Sequence, residues 1–302
     1  MVNYLNVGIV CNRNVTFTHA IYTGFLQNCG IAYAILATLY ELFPLDKRVN
    51  DGYFERTSVK TKMYIALIFP ITNLLLTFTL VVPECPKGYM LPGGIAQQGT
   101  YQNCTGGAAG FIDIKIWGSN HLPIDPACRY CYGCQGFTRY GLLALLNFIF
   151  SVYLGMAFGE FFLLVKQFNR RVWALLSAFF VSTVIAVLLG FVSKNMYSAI
   201  LPISKPLWSF SYVMLVNAIC LILFLFLWIA HEKKIINGWP VRAIGLNAIG
   251  IYVLNALAGQ RFPFCFQTKG DHMTLMLSNL LGLSTWILIA LFLHKYRFYV
   301  KY

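Results

Sequence analysis

The chain has 302 residues, 58% of them hydrophobic and only 11% charged, with a formal net charge of +13. A soluble domain carries about 25% charged residues, so a water-exposed globular surface is excluded. The positive charge alone would suit nucleic acid, but its distribution along the chain argues for a membrane and no nucleic-acid partner.

In chain order, the stretch 4–10 is too short for the apolar part of a cleavable signal and has no basic segment before it. The first span therefore reads as an anchor. Apolar runs follow at 24–43, 63–82, 140–165, 172–192, 208–229, 244–257 and 275–293, none of which contains Lys or Arg. A helix needs about 20 apolar residues to cross the hydrocarbon core, and most of these runs qualify. Lipid offers the backbone no hydrogen-bond partner, so each run is expected to be helical. The predicted fold is all-α: a polytopic transmembrane helical bundle of about seven spans. The chain reads as a single membrane domain, 1–302, interrupted by one long Cys/Gly-rich loop at 83–139.

Alternate connections differ in charge. The segments 44–62, 166–171, 230–243 and the tail after Leu293 hold 14 of the 23 Lys and Arg residues. The other connections hold 9 over more than twice the length. The positive-inside rule places the first set in the cytosol, with the C-terminus, where it also meets anionic membrane lipid. The N-terminus and the 83–139 loop then lie on the luminal side. Seven of nine cysteines and both Asn-x-Ser/Thr sequons, at Asn14 and Asn103, fall in that luminal set, as an oxidising, glycosylating compartment predicts. Cys128, Cys131 and Cys134 are spaced like metal ligands but lack an evident fourth ligand, so disulfides are expected and no metal.

Polar residues inside spans are costly and lean functional. Asn147, Asn247 and Asn255 are the candidates here. Asn247 and Asn255, eight apart, would share a broad face of one helix. Such amides could meet a ligand or bond between helices. Glu160 follows a Gly155-x-x-x-Gly159 motif near the cytosolic end and is expected to snorkel or to pair with Arg170.

The long loop begins Cys85-Pro-Lys-Gly-Tyr-Met-Leu-Pro-Gly-Gly. It continues Tyr101-Gln-Asn-Cys-Thr-Gly-Gly-Ala-Ala-Gly-Phe-Ile-Asp to Gly118-Ser-Asn-His-Leu. Gly24-Phe-Leu-Gln, Leu207-Trp-Ser-Phe-Ser-Tyr-Val, Gly245-Leu-Asn with Tyr252, and Phe262-Pro-Phe stand in order around it. In these motifs the chain resembles the heparan-alpha-glucosaminide N-acetyltransferase family, polytopic lysosomal membrane enzymes of heparan sulfate breakdown. The resemblance implies transfer of acetyl from cytosolic acetyl-CoA, as co-substrate, to the amine of a terminal glucosamine in the lumen. It implies a lysosomal or other endomembrane location and a heparan-type glucosaminide acceptor, and it allows a homo-oligomer. It also places the family's catalytic histidine ahead of Met1, leaving His121 as a weak candidate, and makes Cys85–Cys104 the first disulfide pairing. Asn147, Lys205, Trp208, Asn247 and Asn255 become candidate substrate-binding residues. Lys47, Arg48, Arg170 and Arg171 become candidate CoA-phosphate ligands.

The chain departs from the family pattern at three places. Asn28 stands where Arg is usual. Thr138-Arg-Tyr-Gly replaces Asp-Pro-Glu-Gly, and Ser204-Lys-Pro replaces an Asn-Lys sequence. Weak or absent turnover is therefore expected of the chain as written. The alternative is a non-catalytic membrane relative, a scaffold or ligand carrier. The topology predicts that glycosidase treatment of the membrane-expressed protein increases its mobility, and that Asn103→Gln reduces the shift. A tag at Tyr302 reached only from the lumen would overturn the charge argument.

Overall fold

The computed structural model describes residues 22–43, 52–122, 128, 131–134, 140–191, 199–235, 238–239, 241–258 and 272–299. Nine α-helices are present among them. They are α1 (Phe25–Leu42), α2 (Gly52–Thr79), α3 (Gly107–Trp117), α4 (Leu142–Leu164), α5 (Phe168–Gly190), α6 (Phe210–Glu232), α7 (Val241–Leu246), α8 (Ala248–Ala258) and α9 (His272–Lys295). The described residues contain no strand, so the all-α expectation holds. Five helices are long and apolar enough to span a bilayer: Val59–Thr79 within α2, and α4, α5, α6 and α9. α1 has 18 residues and is diluted by Gln27, Asn28 and Glu41. The sixth expected span is broken into α7 and α8 at Asn247.

The chain divides into two units, Ile21–Leu225 and a second that contains Phe226–Tyr302. In the first, α4 is the central helix, packing against α1, α2 and α3. Its core joins Leu36 of α1, Ala66 of α2, Phe148, Ile149 and Tyr153 of α4, and Val213 of α6. In the second, α7 packs on α9; Ala243 and Ala290 are both fully buried.

Apolar packing does not distinguish one helix face from another in lipid, so polar contacts fix the register. Asn73 of α2 donates to the Leu143 carbonyl of α4 at 2.8 Å. Asn217 of α6 donates to Ser182 Oγ of α5 at 2.9 Å. The strongest contact is an ion pair between Lys62 of α2 and Glu160 of α4, 1% and 9% exposed. The Lys62 ammonium also lies 4.1 Å from the centre of the Tyr40 ring on α1, so one cation joins three helices. Glu160 thus pairs with Lys62 rather than with the expected Arg170. The sequence assigned Lys62 to a cytosolic connection, but α2 already begins at Gly52, which carries Lys62 into the packed part of the helix.

The described part of the long loop is crosslinked within itself. Disulfides join Cys85 to Cys104 and Cys128 to Cys134. α3 docks on the start of α4 through Asp113, which is 1% exposed and accepts the Leu142 N–H at 2.9 Å. A carboxylate here meets the unpaired amides and positive end of the helix dipole. Gly141 lets it approach, since a Cβ at that position would lie 1.7 Å from Asp113 Oδ2. Tyr89, in the same loop, is 7% exposed. Burial pushes its phenol above the usual range, so it stays protonated.

Removing one member of a buried ion pair strands the other charge at a cost of about 3–5 kcal/mol, whereas replacing both by apolar groups is close to neutral. Glu160→Leu or Lys62→Met alone should therefore lower unfolding stability in detergent sharply. The double variant should recover most of the loss. Single variants as stable as the parent would show that the pair does not clamp the helices.

Candidate functional site

The polar residues of the first unit converge where α1, α4 and α6 begin. The chain leads into α4 through Tyr140, whose φ is 61°, and into α6 through Trp208, whose φ is 48°. Neither is glycine, and the left-handed conformation costs an L-residue about 1–2 kcal/mol. Each strained residue is held through its carbonyl by a buried asparagine. Asn28 Nδ2 donates to Tyr140 O at 3.3 Å, and Asn147 Nδ2 donates to Trp208 O at 2.8 Å. Asn28 is 4% exposed and Asn147 fully buried. The backbone amide of Tyr140 reaches the Pro206 carbonyl at 3.5 Å, so the turns that precede α4 and α6 touch.

The Trp-Ser-Phe-Ser run explains how Trp208 is presented. Ser209 caps α6: its Oγ accepts the Tyr212 N–H at 3.3 Å and the Ser204 N–H at 3.0 Å. This is the N-cap arrangement that satisfies otherwise orphaned helix amides. Ser211 Oγ lies 3.1 Å from Ser209 Oγ and donates to the Pro202 carbonyl at 3.3 Å. Both serines are buried. The turn before α6 is thereby fixed, and the Trp208 indole is fixed with it.

Aromatic rings wall the cluster. Trp208 packs on Phe148 at 4.6 Å and on Tyr212 at 5.7 Å; Phe25 packs on Phe148 at 5.7 Å and on Tyr140 at 5.9 Å. Two buried polar atoms within this wall, Asn147 Oδ1 and Trp208 Nε1, have no hydrogen-bond partner. Buried polar atoms are nearly always paired. Both atoms are shut off from solvent, so they mark spare hydrogen-bonding capacity inside the packed wall.

The structure brings together Asn147 and Trp208 of the sequence candidates. Lys205 lies three residues before Trp208 and is exposed. Asn247 and Asn255 do not share a helix, because Asn247 occupies the break between α7 and α8. Asn247 is 1% exposed with both amide atoms unpaired, and Asn255 is exposed. His121 stacks on Tyr22 at 4.4 Å, and Tyr22 also contacts Trp117 at 5.8 Å. Arg170 is exposed. Arg171 donates to the carbonyls of Phe162, at 2.7 Å, and Val165, so it caps the C-terminal end of α4. Asn103 is exposed, its amide 3.3 Å from Glu84 Oε2. Lys47, Arg48 and Asn14 lie outside the described residues. Sequence reasoning missed Asn28, whose amide it read only as a departure, and Asp113. Their partners lie 112 and 29 positions away.

The spans and this cluster define an integral membrane protein with a polar, aromatic-walled site at the ends of its helices. No family model matches the chain. It is similar to human heparan-alpha-glucosaminide N-acetyltransferase, with 31% identity over 290 residues. That match covers 92% of this chain and 43% of the human protein. The mouse protein of the same name gives 31% identity over 290 residues, 92% of this chain and 44% of its own length. The chain thus spans less than half the length of the curated relatives it matches.

The Asn147 amide is the sole side chain donating to Trp208 O among the described hydrogen bonds. Asn147→Ala should therefore cost about 1–3 kcal/mol, the penalty for leaving a buried carbonyl unpaired. Asn28→Ala, which removes a longer bond, should cost less. Thermal unfolding in detergent with both variants equal to the parent would show that the asparagines do not hold these turns.

Proposed function

We propose that the chain is the acceptor-binding part of a transmembrane acetyltransferase. Acetyl passes from acetyl-CoA on the cytosolic side to the amine of a terminal glucosaminide of heparan type on the luminal side. The observation that carries this reading is the similarity to the two acetyltransferases over 92% of the chain. The unpaired Asn147 Oδ1 and Trp208 Nε1 support it.

In the reaction the amine nitrogen attacks the thioester carbonyl. A C–N bond forms, the C–S bond breaks, the amine proton passes to a base and the CoA sulfur leaves as the thiol. The chemistry needs a neutral amine and donors at the developing oxyanion. Asn147 and Trp208 offer an acceptor and a donor to the sugar, which reaches them when the aromatic wall of Phe148 and Tyr212 opens. Holding the sugar fixes the amine and limits the entropy cost of the encounter. Lys205 stands exposed nearby in sequence for an anionic neighbouring sugar. Lys47, Arg48 and Arg170 supply charge for the CoA phosphates, while Arg171 holds the end of α4. Asn247 and Asn255 extend the candidate set in the second unit. By the resemblance the reacting histidine belongs to a segment preceding the matched motifs, with His121 second in line. The lysosomal setting, the glycan at Asn103 and a homo-oligomeric state belong to the same proposal.

The other reading, a non-catalytic scaffold or carrier, rests on Asn28 and Thr138-Arg-Tyr-Gly standing at positions where the family pattern carries charge. The two separate in one experiment on the purified 302-residue chain. Acetyl-CoA binding is measured by calorimetry, and CoA release is followed with glucosamine as acceptor. Binding with little turnover is expected, because loss of a general base costs about 10²–10⁴-fold. Asn147→Ala should weaken glucosamine binding about tenfold and leave acetyl-CoA binding unchanged. Acetyl-CoA binding with no transfer, even once the family's upstream segment is supplied in cis, would favour the carrier. Turnover on the order of one per second, a typical enzyme rate, would place the base within the chain.

A further inference from the structure

Two spans of the chain end in the same way. α6 stops at Glu232 and α9 at Lys295. Past α6, the Lys234 N–H donates to His231 O at 3.0 Å and the Ile235 N–H to Ala230 O at 2.9 Å. Past α9, the Arg297 N–H donates to His294 O at 3.0 Å and the Phe298 N–H to Leu293 O at 2.9 Å. These paired bonds form the Schellman motif, whose turning residue is left-handed and usually glycine. Here that residue is a cation at both ends: φ is 54° at Lys234 and 55° at Arg297. The sequences run in parallel, His231-Glu-Lys-Lys-Ile against His294-Lys-Tyr-Arg-Phe.

The helix dipoles do not require these two cations where they stand. Lys233 and Lys295 already bring positive charge to the two C-terminal ends, where it is favourable. Glycine would make either turn without strain. The apolar residue that follows such a turn commonly packs back on its helix, yet Ile235 is 71% exposed and Phe298 58%. Each end therefore presents a bulky apolar side chain beside an exposed, left-handed cation. Trp239 and Tyr296 add exposed rings in the same segments. Across 231–242 and 294–299, Lys233, Lys234, Arg242, Lys295 and Arg297 stand against a single carboxylate, Glu232. At the edge of a bilayer an apolar side chain favours the acyl chains and a cation the headgroup level. A soluble anion would leave Ile235 and Phe298 in water, and a neutral lipid would leave the positive excess unmatched. The complement of each end is an amphiphile with a negative headgroup.

We propose that each of these two ends holds one anionic phospholipid, its phosphate on Lys234 or Arg297 and its acyl chains against Ile235 or Phe298. Both ends belong to segments that the charge distribution assigns to the cytosol. This is more than the attraction of basic connections to a charged leaflet, because it names two positions and one lipid at each. It does not depend on the proposed transfer reaction.

The test titrates the full 302-residue chain, purified in detergent, with phosphatidylglycerol and follows binding by native mass spectrometry, with phosphatidylcholine as the comparison. Two phosphatidylglycerols should bind ahead of any phosphatidylcholine. Lys234→Gly and Arg297→Gly should each weaken one binding step about fivefold, the change expected for one cation near an anionic lipid surface. The double variant should weaken both. Without lipid the same glycine variants should raise the thermal midpoint, because the turns lose their strain. Lys234→Arg and Arg297→Lys should bind as the parent does. Lys60→Gln, which removes an exposed cation of the first unit, should leave both steps unchanged. If a glycine variant does not fold, Lys234→Gln and Arg297→Gln must show the same weakening. Phosphatidylglycerol binding unchanged in the glycine or glutamine variants would overturn the proposal. So would an equal loss in Lys60→Gln, equally tight phosphatidylcholine, or displacement of the lipid by millimolar inorganic phosphate.

Discussion

The hydrocarbon core of a bilayer offers no water to a polar group, so each buried polar atom in a membrane bundle must find its partner in the protein. The Lys62–Glu160 pair is the strongest expression of that constraint here. A carboxylate on α4 and an ammonium on α2 cannot separate without leaving a charge unpaired in a medium of low dielectric. The Tyr40 ring brings α1 to the same cation. Apolar side chains pack almost equally well against lipid and against each other. It is therefore the ion pair, with Asn73 and Asn217, that selects which helices meet and in which register.

The same constraint shapes the other end of the bundle. Asn28 and Asn147 each stabilise, through its carbonyl, a left-handed residue just before a helix, and these two turns position the aromatic wall. Asp113 ties the loop to the first turn of α4. The cluster is thus rigid without being fully satisfied: Asn147 and Trp208 keep one acceptor and one donor unpaired.

Two disulfides and the docking of α3 make the long loop a stable body. Left-handed strain is therefore tolerated at Gln97 and Gln98, outside the spans.

The sequence by itself determined the class of fold. Runs of about 20 apolar residues cannot be water-exposed and must close their backbone hydrogen bonds as helices; about seven spans were expected, and five of the described helices are long and apolar enough to cross. It also marked Asn147, because a polar amide in an apolar run stands out locally, whereas Trp208 was marked only by the resemblance of its motif. Only the tertiary structure decided the partners. Glu160 has Lys62 at a separation of 98 positions, and Asn28 has Tyr140 at 112; no spacing rule reaches that far. Asn247 and Asn255 looked like neighbours on one helix, yet the helix breaks at Asn247. Helical periodicity describes a face only while the helix continues, and no period in the run reveals that it stops at Asn247.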